Sequence, residues 1–204
     1  MSNYFDSVAE SSDNNPAKIE RATATAQQIK QLRLASYESV IDFGAGTGLL
    51  GVQLRDLFEH VHLADASNNM LEIAHHKITQ AQFTNVHTHF VESLTDIPGS
   101  HSAIVTLMAL HHIHNVGEFF AAAYQKLQAQ GMLVIADLYA EDGSFHKHNP
   151  DFDGHNGFDL DELCQKAKQA GFTITKAEPF YEIRQESGDG IELVYPLFLL
   201  AVMK

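Results

Sequence analysis

Short apolar runs alternate with stretches of helical periodicity along most of this chain. From Pro16 to about Leu34, the residues Ile19, Ala22, Ala26, Ile29 and Leu32 recur at three-to-four spacing, which predicts an amphipathic helix whose first turn suits Pro16. The pattern then changes. Ser39 to Phe43, Val61 to Ala64, Val86 to Val91, Ala103 to Leu107 and Met132 to Asp137 read as strands. Between them the spacing predicts helices from Gly48 to about Glu59, through Met70, Ala74 and Ile78, and from about Val116 to Ala129, the last stopped by Gly131. Apolar strands separated by helices predict a parallel sheet covered on both faces.

The last third reads differently. A polar loop from Glu141 to Asn156 leads into a helix near Leu160 to Ala170, closed by Gly171. Two apolar stretches follow, Phe172 to Ile183 and Ile191 to Met203, joined by a few residues around Glu186 to Gly190. A parallel crossover takes about a dozen residues or more, so this connection predicts an antiparallel hairpin. The expected architecture is a single α/β domain over residues 1–204, a doubly wound, mostly parallel, seven-stranded sheet ending in that hairpin. Residues 1–15, rich in Ser, Asp and Asn, are expected to form a mobile arm.

Charge narrows the partners. Thirteen Lys and Arg stand against 26 Asp and Glu, a formal net charge of −13, and no basic run occurs. A phosphate backbone or an anionic membrane needs a dense basic stripe, so neither nucleic acid nor membrane is expected, and the bias is toward small neutral or cationic ligands. The one cysteine, Cys164, excludes a disulfide framework and a Cys-based zinc cluster and fits a reducing compartment. MSNYFDSVAESSDNN has no apolar segment to serve as a signal or anchor, which points to a cytoplasmic protein. Nothing in the pattern fixes an oligomeric state.

The segment with most chemical content is Val40-Ile41-Asp42-Phe43-Gly44-Ala45-Gly46-Thr47-Gly48-Leu49-Leu50-Gly51, an apolar strand running into three alternating glycines. Glycines there let the backbone turn sharply and let a ligand approach main-chain N–H groups. Gly46-Thr47-Gly48-Leu49-Leu50-Gly51 satisfies the dinucleotide pattern, and Asp65, 19 residues beyond Gly46, falls near the place of a ribose-binding acid, so a nicotinamide oxidoreductase is one reading. The register favours another, because that match starts one glycine late. Aligned to the strand end, the motif is Asp42-x-Gly44-x-Gly46-x-Gly48. A carboxylate at position 42 repels a pyrophosphate and suits a ligand bearing an ammonium and a sulfonium, namely S-adenosylmethionine.

Nearly the whole chain resembles the class I S-adenosylmethionine-dependent methyltransferases of small-molecule type. The resemblance is carried in order by VIDFGAGTGLL, LADASNNML, TLMALHHI and GMLVIADLY, each at the carboxyl end of an expected strand, and by the arm YFDSVAESSDNNP. It implies a Rossmann-like methyltransferase fold and methyl transfer by in-line displacement to a small-molecule acceptor. A cofactor-binding protein without turnover has the same motifs. By position, Gly44, Ala45 and Gly46 would face the methionine part of the cofactor, with Asp42 orienting it, and Leu107 would border the same site. Asp65 would hold both ribose hydroxyls; its other reading is an N-cap for the helix near Ser67. Ala66 and Met70 would pack on the adenine, although Met70 also falls on the core stripe of its helix. Where the family commonly places an acid near the adenine amino group, this chain has Ser93, with Glu92 one position early; Ser93 is preferred and Glu92 is the alternative.

The resemblance also implies that residues 141–158 border the acceptor pocket, with His155 and Phe158 as candidates beside Tyr4 of the arm. His112, after the fourth strand, is the candidate general base, since an imidazole titrates near neutrality, and a packing or capping element is its other reading. His146-x-His148 could bring two imidazoles to one ion, but no spaced partner on a helix joins them, so no metal is expected.

Overall fold

A computed structural model describes residues 13–147, 149, 151–186 and 190–204. Seven strands form one sheet: β1 (Ser39–Phe43), β2 (His60–Asp65), β3 (Val86–Phe90), β4 (His101–Leu107), β5 (Leu127–Leu138), β6 (Thr173–Glu186) and β7 (Glu192–Met203). Their order is β3-β2-β1-β4-β5-β7-β6, parallel from β3 to β5, with β7 running antiparallel between β5 and β6. The hairpin expected from the short connection is therefore present, and its second strand turns back to pair with β5.

Among the described residues, four α-helices pack on this sheet: α1 (Pro16–Gln31), α2 (Asn68–Gln80), α3 (Val116–Lys126) and α4 (Leu160–Gln169). Alternate residues of the central strands face opposite sides, as the two-residue period of a strand requires. Ile41, Ile104 and Leu133 join Phe120 and Leu163 of α3 and α4 in one core, whereas Val40, Val105 and Val134 join Ala26 of α1 and Ala74 of α2 in the other. Among the described residues, no helix is long and apolar enough to cross a membrane.

Three local expectations are corrected. The segment after the glycine loop is not an α-helix but a series of turns around a 3-10 segment at Gly51–Leu54. There the bonds Gln53 N–H to Leu50 O and Arg55 N–H to Val52 O close three-residue turns. Helix α3 stops at Lys126, and β5 already begins at Leu127, with a register shift opposite His101 and Ala103 that accommodates Gln130 at φ 61°. The end of the expected mobile arm is tethered: Asp13 accepts from Thr47 Oγ1 at 2.5 Å and from Lys77 Nζ at 2.7 Å, and Asn15 caps α1 through Ala17 N–H. Tyr4 and His148 lie outside the described residues.

Strand order reverses between β1 and β4, since the chain runs from β1 outward to β3 and then crosses back. The loops after β1 and β4 therefore diverge to opposite faces and leave a crevice at their carboxyl ends, the usual ligand position in an open doubly wound sheet.

Candidate functional site

Two cavities meet in that crevice. The smaller, about 290 Å³, is bounded by Phe43, Asp65, Ala66, Val91, Glu92 and Ile113. The larger, about 520 Å³, runs past Asp42, Ala45 and Leu107 to Lys18 and Arg21 of α1 and to Phe145 and His146. Gly44, Gly46, Met70, Met108 and His112 line both, so they form the junction.

The glycine loop shapes that junction. Gly44 and Ala45 donate their N–H groups to Ala64 O at 2.8 and 3.1 Å, which folds the loop over the end of β2. Gly44 has φ +71°, and a Cβ there would lie 2.4 Å from Ala109 Cβ, so close approach of the two loops depends on its absence. We expect Gly44→Ala to cost at least about 2 kcal/mol, from left-handed strain and the steric clash together, read as a melting temperature lower by roughly 4–8 °C. At Gly46, φ +54°, the nearest atom to an added Cβ would be Met70 Sδ at 3.9 Å, so that Cβ would project into open cavity. Space beside bare backbone at that point fits a bound ligand.

Two carboxylates flank the loop. Asp65, at the tip of β2, accepts from Gly46 N–H at 2.7 Å through Oδ2 and from Ser67 N–H at 2.8 Å through Oδ1. Ser67, not Asp65, caps α2 by accepting from Met70 N–H, which removes the capping reading of Asp65. Asp42 is buried at 1% exposure and accepts from Gly51 N–H at 2.8 Å, which anchors the 3-10 segment. Burial pushes its pKa up to about 7 against the opposing effect of that hydrogen bond, and neighbouring Asp65 adds to the rise.

A family model described as a methyltransferase domain matches residues 11–177. The chain belongs to this methyltransferase family. It is 26% identical over 151 residues to an uncharacterized methyltransferase of Schizosaccharomyces pombe, covering 66% of this chain and 53% of that one. It is 30% identical over 100 residues to the ubiquinone biosynthesis O-methyltransferase of Bartonella bacilliformis, covering 48% and 40%. The chain thus spans about half the length, or less, of these curated relatives. A SAM-dependent methyltransferase from Aquifex aeolicus superposes over 97% of both chains with a TM-score of 0.72 at 18% identity, a likeness of fold. The methyltransferase thus carries its matched domain on the doubly wound sheet shared with that structure.

Several expected site residues of the methyltransferase fall elsewhere than the motifs implied. Ser93 lines neither cavity; its side chain accepts from Thr95 N–H while Asp96 accepts from Ser93 N–H, closing a capping box. Val91 and Glu92 form the wall there instead. His155 and Phe158 lie in a separate depression of about 300 Å³ with Asp159 and Lys166. His155 donates its N–H to His111 O at 2.7 Å and Phe158 its N–H to Leu138 O at 2.9 Å, and these bonds hold that part of the loop away from the cleft.

The loop's contribution to the cleft is Phe145, His146 and Asn149. His146 stacks on Phe152 at 3.6 Å with 3° between planes, and its ring centroid lies 5.0 Å from His111 and 5.8 Å from His112. Behind them sits Asp137, which the motifs did not single out although it is an acid in an otherwise apolar strand. It is fully buried and accepts from His111 Nδ1 at 2.6 Å, His111 N–H at 3.1 Å and Leu138 N–H at 2.8 Å. Burial alone would raise its pKa, but the neighbouring His111 and these hydrogen bonds carry it below the ordinary value.

Burial, with His111 and His146 close by, pushes the pKa of His112 down to about 3. A neutral imidazole so hard to protonate is a poor general base, which weakens the role expected for His112 while its position at the junction stands. Met108 holds the same junction from φ 55°, with its N–H donated to Ala136 O at 2.9 Å. A non-glycine residue in that conformation stores strain of the kind found at functional sites.

Proposed function

We propose that the enzyme transfers a methyl group from S-adenosylmethionine to a small-molecule acceptor held in the larger cavity. The observation that carries this reading is the junction: one cleft with a nucleoside-sized lobe ending at Asp65, a second lobe beyond, and bare glycine backbone between them. When bound, the cofactor supplies an electrophilic methyl group on a sulfonium. Asp65 is placed to accept from ribose hydroxyls, since its two oxygens retain lone pairs beyond the backbone bonds already made. Ala66, Val91 and Met70 offer apolar contact to the adenine, with Glu92 rather than Ser93 near its amino group. Gly44, Ala45 and Gly46 border the methionine part, and Asp42 favours its cationic groups.

The residues that remain align the acceptor and exclude water, which contributes at best about 7–11 kcal/mol to the barrier of a two-reactant step. Lys18 and Arg21 reach the acceptor lobe from α1. Two cations in an otherwise acidic protein select an acceptor with an anionic or acidic group, the opposite of what net charge alone suggests. The B. bacilliformis relative, named for an O-methyltransferase of ubiquinone biosynthesis, supports a small-molecule acceptor.

The test is a calorimetric titration with S-adenosylmethionine, its demethylated product and NAD, followed by a screen of phenols and carboxylates that reads release of the demethylated product. We expect binding of the first two only. Asp65→Ala should weaken binding about 30- to 100-fold, on the order of 2–3 kcal/mol, because charge-assisted bonds to the ribose are lost. Saturation by NAD alone would refute the assignment, and cofactor binding without turnover on any acceptor class would refute the transfer.

A further inference from the structure

We propose that His111, His112 and His146 form a binding site for one divalent transition-metal ion of the zinc class in the wall of the acceptor lobe. Each offers one ring nitrogen, and these three atoms lie within 4.8 Å of one another. Among the described residues no other group of histidines, cysteines and carboxylates comes together in this way. Two separate elements supply the set: His111 and His112 from the 3-10 turn Leu110–His112 after β4, His146 from the turn Ser144–His146. The helix-borne partner missing from His146-x-His148 is thus replaced by a pair some thirty residues earlier in the chain.

The arrangement around His111 is that of a metal ligand. Asp137 accepts from His111 Nδ1 at 2.6 Å, so in the neutral imidazole the lone pair that could bind a metal lies on Nε2. A carboxylate behind a histidine fixes the tautomer, orients the ring and raises its donor strength. The buried negative charge of Asp137 also offsets part of the cost of placing a dication in this wall. Zinc binds imidazole nitrogen at about 2.0–2.1 Å, so tetrahedral ligands stand roughly 3.3 Å apart and the three nitrogens must draw in by up to about 1.5 Å. Rotation of His146, with the stacked Phe152 ring, can supply that movement, because both lie in the loop after β5. Three nitrogen ligands leave the fourth position open toward the larger cavity, the pattern of a catalytic rather than a structural zinc site.

Its use rests on the methyl-transfer reading, although the binding itself does not. An acceptor hydroxyl taking the fourth position would release its proton to solvent more readily. Its oxygen could then form the bond to the methyl carbon while the carbon–sulfur bond breaks and its electron pair stays on sulfur. No histidine need act as base.

The experiment is a titration of the chelator-treated full chain with Co²⁺, read by the visible d–d bands of a four-coordinate site, with zinc stoichiometry by elemental analysis. We expect one equivalent per chain. His146→Ala and His112→Ala should each lower affinity more than about 100-fold, and Asp137→Asn about 10- to 100-fold through the orientation of His111. His62→Ala, in the separate β2–β3 histidine cluster where His62 bonds His89 at 2.8 Å, should leave binding intact. A melting curve establishes that each variant is folded. Absence of a stoichiometric ion, or binding kept in folded His146→Ala, or loss in His62→Ala, would overturn the site. Cobalt bound by a protein that ignores S-adenosylmethionine would overturn the methyltransferase reading and leave the metal site standing.

Discussion

Asp137→Ala should destabilise the protein by at least about 3 kcal/mol, because each buried donor left without its acceptor costs roughly 1–3 kcal/mol. The carboxyl is 0% exposed and answers three donors at once: the His111 ring, the His111 N–H and the Leu138 N–H. Alanine leaves all three without the carboxylate that accepts from them, so the desolvation already suffered by each is no longer offset. The damage would spread further than one contact. His111 carries the turn that His155 bonds through His111 O, and a Cβ on Gly154 would stand only 2.2 Å from that oxygen, so the loop is closely seated on this turn. Asp137→Asn keeps an acceptor and the shape and should lose less than half as much. Thermal or urea unfolding of the two variants beside the parent measures both values; equal stabilities for alanine and parent would show that the pair contributes nothing.

The strands and the cofactor loop were legible in the sequence because each rests on a local rule. Val40 and Ile41 face opposite cores, and Gly44 and Gly46 both take positive φ. The same cannot be said of residues 48–59: periodicity suggested a helix, but a helical spacing of Leu49, Val52 and Leu57 is also compatible with successive turns. The serine-to-acid spacing of Ser93 and Asp96 is a local signal of the capping box that keeps Ser93 out of the cavity wall, where Glu92 stands instead. The substrate side was least legible. In residues 141–158 no period orders the chain, and which histidine enters the cleft is decided by long-range backbone bonds such as His155 N–H to His111 O. Asp137 could have been found as an acid within an apolar strand, yet its partner lies 26 residues away in sequence.

Between pH 4 and pH 7 the ligand-free enzyme should lose stability through Asp42, by an amount on the order of 4 kcal/mol for a pKa displaced from 3.8 to about 7. The sign follows from proton uptake. Below pH 4 the carboxyl is protonated in both the folded and the unfolded chain, and its contribution is fully present. As the pH rises the unfolded chain ionises near the ordinary value, whereas the folded chain keeps the proton, so unfolding is increasingly favoured until the buried group also ionises near pH 7. Asp42→Asn should flatten this interval and be the more stable protein at pH 8, since an amide oxygen can still accept from Gly51 N–H. The cofactor reverses the preference. A sulfonium and an ammonium near Asp42 favour its carboxylate, so binding near pH 6 should release a proton, seen as a buffer-dependent heat, and stabilisation by S-adenosylmethionine should be greater at pH 8 than at pH 5. Asp42→Asn should lose both the proton release and part of the affinity. An unchanged pH profile in that variant would place the responsible group elsewhere and free Asp42 for a purely structural role at the start of the 3-10 segment.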